Sequence, residues 1–316
     1  MILHLLTYLA VIVFVVAVAA RAVMLYRMPI HIRWELYPVP HEGKRAEYGG
    51  SYYENGEWWT HDRHFSLVGT LKYMLPEMIF LKSLWDENRK LWYRSAPFHW
   101  GIYSLGALAG LLVLGALCQM VGVAVGGGAS FIGSIIFYLT ILAGVASIVL
   151  GIAGAAAMLH MRLTDEDLAS FTAPRDIFNL AFILVAFLSM GLAFLAADRS
   201  FSLLRNHVHS LMTFKMASPG SGLVALEMVV LSLLLAYIPL THMSHFFIKW
   251  FTYHEIRWDD APNMRRSRME DRIKEVLKYP VSWSAPHIKG DGKKDWGSVA
   301  TEDVADDGKE DKNKSK

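Results

Sequence analysis

The sequence predicts an all-α membrane protein: a five-helix transmembrane bundle, N-terminus outside and C-terminus cytoplasmic. Three observations carry this. The 316 residues are 53% hydrophobic, with a mean hydropathy of +0.29. The apolar residues gather in five stretches, each long enough for a ~30 Å hydrocarbon core, which takes ~20 helical residues. Lys and Arg are distributed unevenly between the connecting segments, in the sense of the positive-inside rule.

The stretches are Ile2–Tyr26, Phe98–Val121, Phe131–His160, Ile177–Ala197 and Gly222–Trp250. Backbone groups in lipid must be satisfied internally, so each is expected to be a helix. The first has an apolar run too long for a signal peptide and no basic segment before it, and is read as a retained anchor. Residues 28–97 form a cytoplasmic loop with interfacial helices, and 98–252 a four-helix membrane region. Residues 253–316 form a cytoplasmic tail, disordered after about 287, where Gly, Lys and Asp dominate.

Within the 28–97 loop, residues 31–64 are dense in aromatics and turn formers, including Trp34, Tyr48, Gly49, Gly50, Trp58 and Trp59. Residues 65–93 read as one or two amphipathic helices interrupted at Pro76, with Trp85, Trp92 and Tyr93 at headgroup level. This segment suits an interfacial belt, a docking platform, or both. Residues 265–278 (RRSRMEDRIKEVLK) read as a short charged helix; contact with anionic lipid is its default role and partner binding the alternative.

Orientation follows from the loops. Nine Lys and Arg lie in 28–97, from Arg33 to Arg94, and seven more in the tail from Arg257 to Lys278. The Gly122–Ser130 connection has no charge, and the connection between the last two spans has only Arg199, Arg205 and Lys215 among its bases. The 161–176 loop is placed in the cytoplasm although it is acidic. The location implied is a cell inner membrane, crossed several times. The single cysteine, Cys118, excludes disulfides, an iron–sulfur cluster held by this chain alone, and c-type haem attachment. The net charge of +2 selects no partner, and nucleic acid is not expected.

Thirteen histidines are present. Most lie in soluble segments or at span ends, where a solvated or interfacial imidazole suffices; His4 and His160 are in that group. His99, His242 and His245 stand within predicted spans, where polar groups are costly and usually functional. The second span rises from the inside and the fifth returns to it. At 1.5 Å per residue, His99 and His245 then lie at one depth near the cytoplasmic face. Two such imidazoles are what a b-type haem needs, one nitrogen ligating while the other donates to a carbonyl. His242 is a rival ligand, or a donor to a propionate or a quinone. Arg94, Arg162 and Lys249 sit at the same face and can pair with propionates, although the positive-inside rule alone also places them there. Gly101, Gly106 and Gly110 allow close approach by a macrocycle or by another helix. Pro239 is expected to kink the fifth span ahead of His245.

The segments SAPFHWGIYSLG (Ser95–Gly106) and LLLAYIPLTHMSHFFIKW (Leu233–Trp250) resemble the cytochrome b (gamma) subunit of respiratory nitrate reductase. The block Arg33–Trp59 is more similar to the cytochrome b of the transmembrane complex associated with tetrahaem cytochrome c3 in sulfate reducers. The resemblance covers roughly residues 1–255. It implies haem b as cofactor, menaquinone as exchangeable substrate, a cytoplasmic iron–sulfur protein as partner and a periplasmic multihaem cytochrome c at the outer face. The proline six residues before His245 fits the family pattern and favours His245 over His242. The family's second haem is held by a histidine ten residues after the first and another eighteen before the last. Those positions are Ala109 and Glu227 here, so the resemblance implies one haem, held by His99 and His245. Glu227, His207 and His209 are then the quinone or proton candidates, the two histidines read most simply as solvated. No catalytic residue is expected in a chain that acts as an electron-transfer subunit. The alternative is a cofactor-free membrane anchor that recruits a soluble redox complex.

Overall fold

The computed structural model describes residues 1–27, 57, 67–245, 247–248, 265–285 and 288–302. The block at 31–64 thus lies almost wholly outside the described residues. The chain divides into two compact units. One comprises Met1–Ala20 and Leu71–Ser244; the other comprises Arg21–Thr70 and His245–Lys316.

Five helices are long and apolar enough to cross a membrane: α1 (Ile2–Arg27), α4 (Arg89–Met120), α5 (Phe131–Thr164), α7 (Pro174–Ala196) and α9 (Gly222–Tyr237), the last together with the 3₁₀ turn that carries the span to Leu240. The protein is a multi-pass membrane protein of all-α class. Shorter helices connect the spans: α2 (Leu67–Phe80), α3 (Lys82–Glu87), α6 (Glu166–Ala169) and α8 (Ser202–Met212). The second unit contributes α10 (Arg268–Val276) and α11 (Trp296–Thr301).

In the first unit α4 and α5 pack along one another most extensively; α7 lies against α5 and α9, and α8 against α4. The core gathers Leu108 and Leu112 of α4, Ile148 of α5, Phe187 and Met190 of α7, Phe201 and Leu204 beside α8, and Val224 and Met228 of α9. Many other large apolar side chains stay exposed, among them Ile12 (58%), Leu142 (65%) and Leu195 (66%). A soluble protein would hide such residues, and here they form the lipid-facing surface.

Glycine sets the α4–α5 spacing. A Cβ on Gly101 would lie 2.5 Å from Gly151 Cα, and one on Gly154 would lie 2.2 Å from the Phe98 nitrogen. Gly101 therefore serves helix packing, whereas Gly106 and Gly110 have open space where a Cβ would be.

Three expected boundaries change. α2 runs through Pro76 and ends at Phe80. Leu81 stops it by adopting a left-handed conformation, φ 52°, while three aromatic side chains of α4 take its last carbonyls. α4 begins at Arg89 rather than Phe98, because Asn88 caps it by accepting from the Leu91 N–H. The fifth span does not continue as one α-helix to Trp250. It ends at Tyr237, and 3₁₀ turns follow at Ile238–Leu240 and His242–Ser244. Pro239 has no N–H to donate and its ring opposes the preceding turn, so the α-helical pattern gives way to 3₁₀ turns there.

In the second unit the charged segment forms α10, capped by Ser267, whose hydroxyl accepts from the Glu270 N–H. The expected disorder after about 287 is corrected for residues 288–302. Val281 is buried, the Trp283 and Trp296 rings stand 6.1 Å apart, and the Val281 N–H donates to the Lys294 carbonyl at 2.8 Å. Asp291 accepts from the backbone N–H groups of Lys293 and Lys294 and shapes the turn between them. Average composition hides so small an apolar nucleus. Residues 303–316 lie outside the described residues.

Candidate functional site

Two sets of polar side chains stand toward opposite ends of the spans, named inner and outer after the orientation expected from the loop charges. The inner set surrounds His99 on α4, which is half-buried. Its Nδ1–H donates to the Ser95 carbonyl at 2.8 Å. That bond leaves Nε2 as the nitrogen carrying the lone pair, the tautomer a metal ligand needs. Phe98 and Tyr103 flank the imidazole at 5.5 and 6.2 Å between ring centres. On the same stretch of α4, Trp92 Nε1, Trp100 Nε1 and the Tyr103 hydroxyl donate to the carbonyls of Phe80, Ile79 and Met78. Carbonyls at a helix C-terminus have no partner within the helix. Three α4 aromatics supply one here and pin the end of α2 beside His99.

The other inner candidates are dispersed. Arg94 Nη1 donates to the Lys90 carbonyl, and Arg162 Nη1 to the Thr172 hydroxyl. His242 lies in a 3₁₀ turn, its Nε2 3.7 Å from an Asp176 oxygen and its side chain 57% exposed. Asp176 also accepts from the Ala173 N–H at the start of α7. His245 opens the second unit and is exposed, so the expected ligand pair is divided between the units. Lys249 lies outside the described residues. Lys90 pairs with Asp165 at 3.1 Å; that contact and the Leu168 N–H hold the Asp165 carboxyl below the usual carboxylate range.

With respect to haem, His99 fits one axial position by its tautomer, and the open faces of Gly106 and Gly110, seven and eleven residues beyond it, lie on the same side of α4. Among the described residues no group of three His, Cys, Asp or Glu converges to hold a metal ion.

The outer set is more closely knit. His4 on α1 is 3% exposed and His207 on α8 is 6% exposed. Their ring centres are 4.8 Å apart, edge to face. His4 Nε2 meets the Ser210 hydroxyl at 2.9 Å, and that hydroxyl donates to the His207 carbonyl. Thr7 donates to the Leu3 carbonyl, so its oxygen accepts from His207 Nε2 and from the Ser232 hydroxyl of α9, each at 3.1 Å. Tyr8 donates to the Leu211 carbonyl at 2.7 Å. Three helices are thereby joined by side chains. Burial, and then the nearby His4, push the His207 imidazole down to about 4. Glu227 on α9 is 2% exposed, and its Oε1 has no hydrogen-bond partner among the described residues.

Reading His4 and His207 as solvated is thus corrected: both are buried and bonded across helices. His209 is half-buried, and its imidazole makes no hydrogen bond among the described residues. Nor do His4 and His207 suit a second haem as they stand. Metal–nitrogen bonds of about 2 Å on either side of an iron would put the ring centres about 6 Å apart, against the 4.8 Å seen. The outer set forms two separate hydrogen-bonded groups, His4 with Ser210, which ends on the His207 carbonyl, and His207 with Thr7 and Ser232. Each imidazole can take up a proton, but among the described residues no continuous chain of side chains joins them.

The residues that the sequence left unmarked here are His4, Thr7, Ser210, Ser232 and Arg205. The one available signal was His4 and Thr7 sharing a helix face three residues apart. Compared with protein-family models, with curated proteins and with solved structures, the chain matches none.

Proposed function

We propose that this chain is a membrane cytochrome b subunit of a respiratory complex in a cell inner membrane. It exchanges electrons between menaquinone and a cytoplasmic iron–sulfur partner through one b-type haem. The observation that carries the reading is the His99 imidazole, fixed by its Nδ1–H on the Ser95 carbonyl with Nε2 in ligating form. The resemblance of the segments around His99 and His245 supports the same assignment. When bound, the haem supplies reversible one-electron transfer.

The chain's own groups have the following roles. His99 and His245 would hold the haem, with His242 their rival. Arg94, Arg162 and Lys249 compensate negative charge at the inner rim. The exposed apolar faces of the five spans keep the assembly in lipid. At the outer end, His207 and Glu227 are the groups that handle quinol protons, and the His4 ring stands edge to face against His207. A periplasmic multihaem cytochrome is the proposed contact on that side.

Haem per chain, measured by pyridine haemochrome on the purified complex, tests this. A ratio near one is expected, with the reduced b-type spectrum lost in His99→Ala and in His245→Ala and kept in His242→Ala. Loss in His242→Ala alone would reassign the ligand. No haem in the folded, partner-bound wild type would replace the reading by the cofactor-free anchor.

A further inference from the structure

Arg205 is the one strongly basic side chain that is fully buried among the described residues, at 3% exposure. It sits on α8, in the connection between the last two spans, and its stem crosses α4 at Gly115. A Cβ on Gly115 would lie 2.7 Å from Arg205 Cδ, so the missing side chain is what admits the arginine. Nη2 donates to the Val125 carbonyl at 3.3 Å, which aims the guanidinium beneath the 121–130 connection. Nε and Nη1 are sealed from solvent and have no hydrogen-bond partner among the described residues. One turn beyond Gly115, Gln119 donates from Nε2 to Asn206, and its Oε1 is likewise buried without a partner.

The charge is not neutralised locally. No carboxylate lies within ion-pair distance of Arg205 among the described residues. Asp198 is the acid that acts on it from further off, but Asp198 already accepts from the Ser200 N–H and hydroxyl, the Ser202 hydroxyl and the Leu203 N–H. A guanidinium does not give up its proton at any ordinary pH. Buried ions are paired because an isolated charge in low dielectric is costly. A water molecule would satisfy an N–H yet leave the charge standing.

We infer that the Arg205 guanidinium, where α8 crosses α4 at Gly115, binds a single small anion, a hydrogen-bond acceptor of one negative charge. It is either a free inorganic ion or the phosphate of an anionic lipid headgroup. The site lies at the outer end and is independent of the haem reading.

The experiment is a thermal melt of the full-length chain in detergent with its partners. In one arm chloride replaces gluconate from about 1 to about 100 mM at constant ionic strength. In the other, delipidated protein receives phosphatidylglycerol at fixed gluconate. A midpoint rise of about 4 °C or more in the chloride arm, abolished in R205Q, identifies a free anion. The same rise only with phosphatidylglycerol, again abolished in R205Q, identifies the lipid phosphate. No rise in either arm, or a rise that R205Q retains, overturns the site. Should R205Q fail to fold, G115A displaces the stem and must raise the half-saturating concentration at least about tenfold, about 1.4 kcal/mol. An unchanged response in G115A also overturns the proposal.

Discussion

The inner and outer ends of the bundle unit differ in how their polar groups are held. Toward the inner end, Gly101 lies on Gly151 and Gly154 on the Phe98 backbone, while Gly151 also admits the Phe187 ring. Toward the outer end, Gly133 meets the Ala124 carbonyl, the Phe201 ring fills the space where a Gly144 Cβ would be, and the Arg205 stem does so at Gly115. The polar groups divide more sharply. At the inner rim, His242 stays more than half exposed, and the bond that orients His99 runs to a residue four positions away on its own helix. At the outer end, His4, Thr7, His207 and Ser232 join three helices through buried side-chain hydrogen bonds. Backbone contact thus holds the inner end together with polar links such as the Tyr237 hydroxyl donating to Asn179, and it leaves His99 and His242 for other duties. The other end spends its polar groups on tertiary structure.

Substitutions can break or sharpen this contrast. The largest effect is expected from Gly154→Ala, because the new methyl meets backbone, which cannot rotate aside. Overpacking of about 3 kcal/mol or more should appear as a lowered denaturation midpoint in detergent, while Gly106→Ala, facing open space, should leave it unchanged. An equal loss at both sites would contradict the inner-end account.

Acid should act next, through the outer end. Burial holds His207 at about 4, below its unfolded value near 6.5. Between those values the unfolded chain binds the proton more readily, so the contribution is complete above about pH 6.5. It is lost as pH falls toward 4, by no more than about 3 kcal/mol. Melts from pH 7.5 to about 4.5 should show the decline, and His207→Gln should flatten it.

Thr7→Val removes the acceptor of two buried donors and should cost about 2 kcal/mol, read as a lower midpoint at pH 7.5. A neutral result would show that the α1–α8–α9 hydrogen bonds are replaceable. The smallest change is expected from His242→Ala. The imidazole is exposed and 3.7 Å from Asp176, a contact worth less than about 0.5 kcal/mol. A loss above about 1 kcal/mol would mean that the inner rim is as interlocked as the outer end.

How much of this was legible in the chain differs by element. The first four spans were readable because lipid demands long apolar helices, and their starts and ends moved mainly where a cap or turn intervened. Asn88 extends α4 toward its N-terminus, and Pro239 closes α9 early. His99 was legible as a polar residue in an apolar helix. His207 was not, because a histidine in a short polar connection looks the same whether it faces water or Thr7. Arg205 was counted only as a topological charge, since nothing in its neighbourhood announces that Gly115, ninety positions earlier, leaves a slot for it.

Periodicity and hydropathy by themselves determined the class, the span number and the position of His99, because these depend on the local match between residues and solvent. Only tertiary structure decided which polar groups are buried. It brings His4 to His207 across 203 positions and divides His99 from His245 between two units. Burial of a polar side chain depends on which distant helix comes to cover it, and no local pattern in the chain encodes that partner.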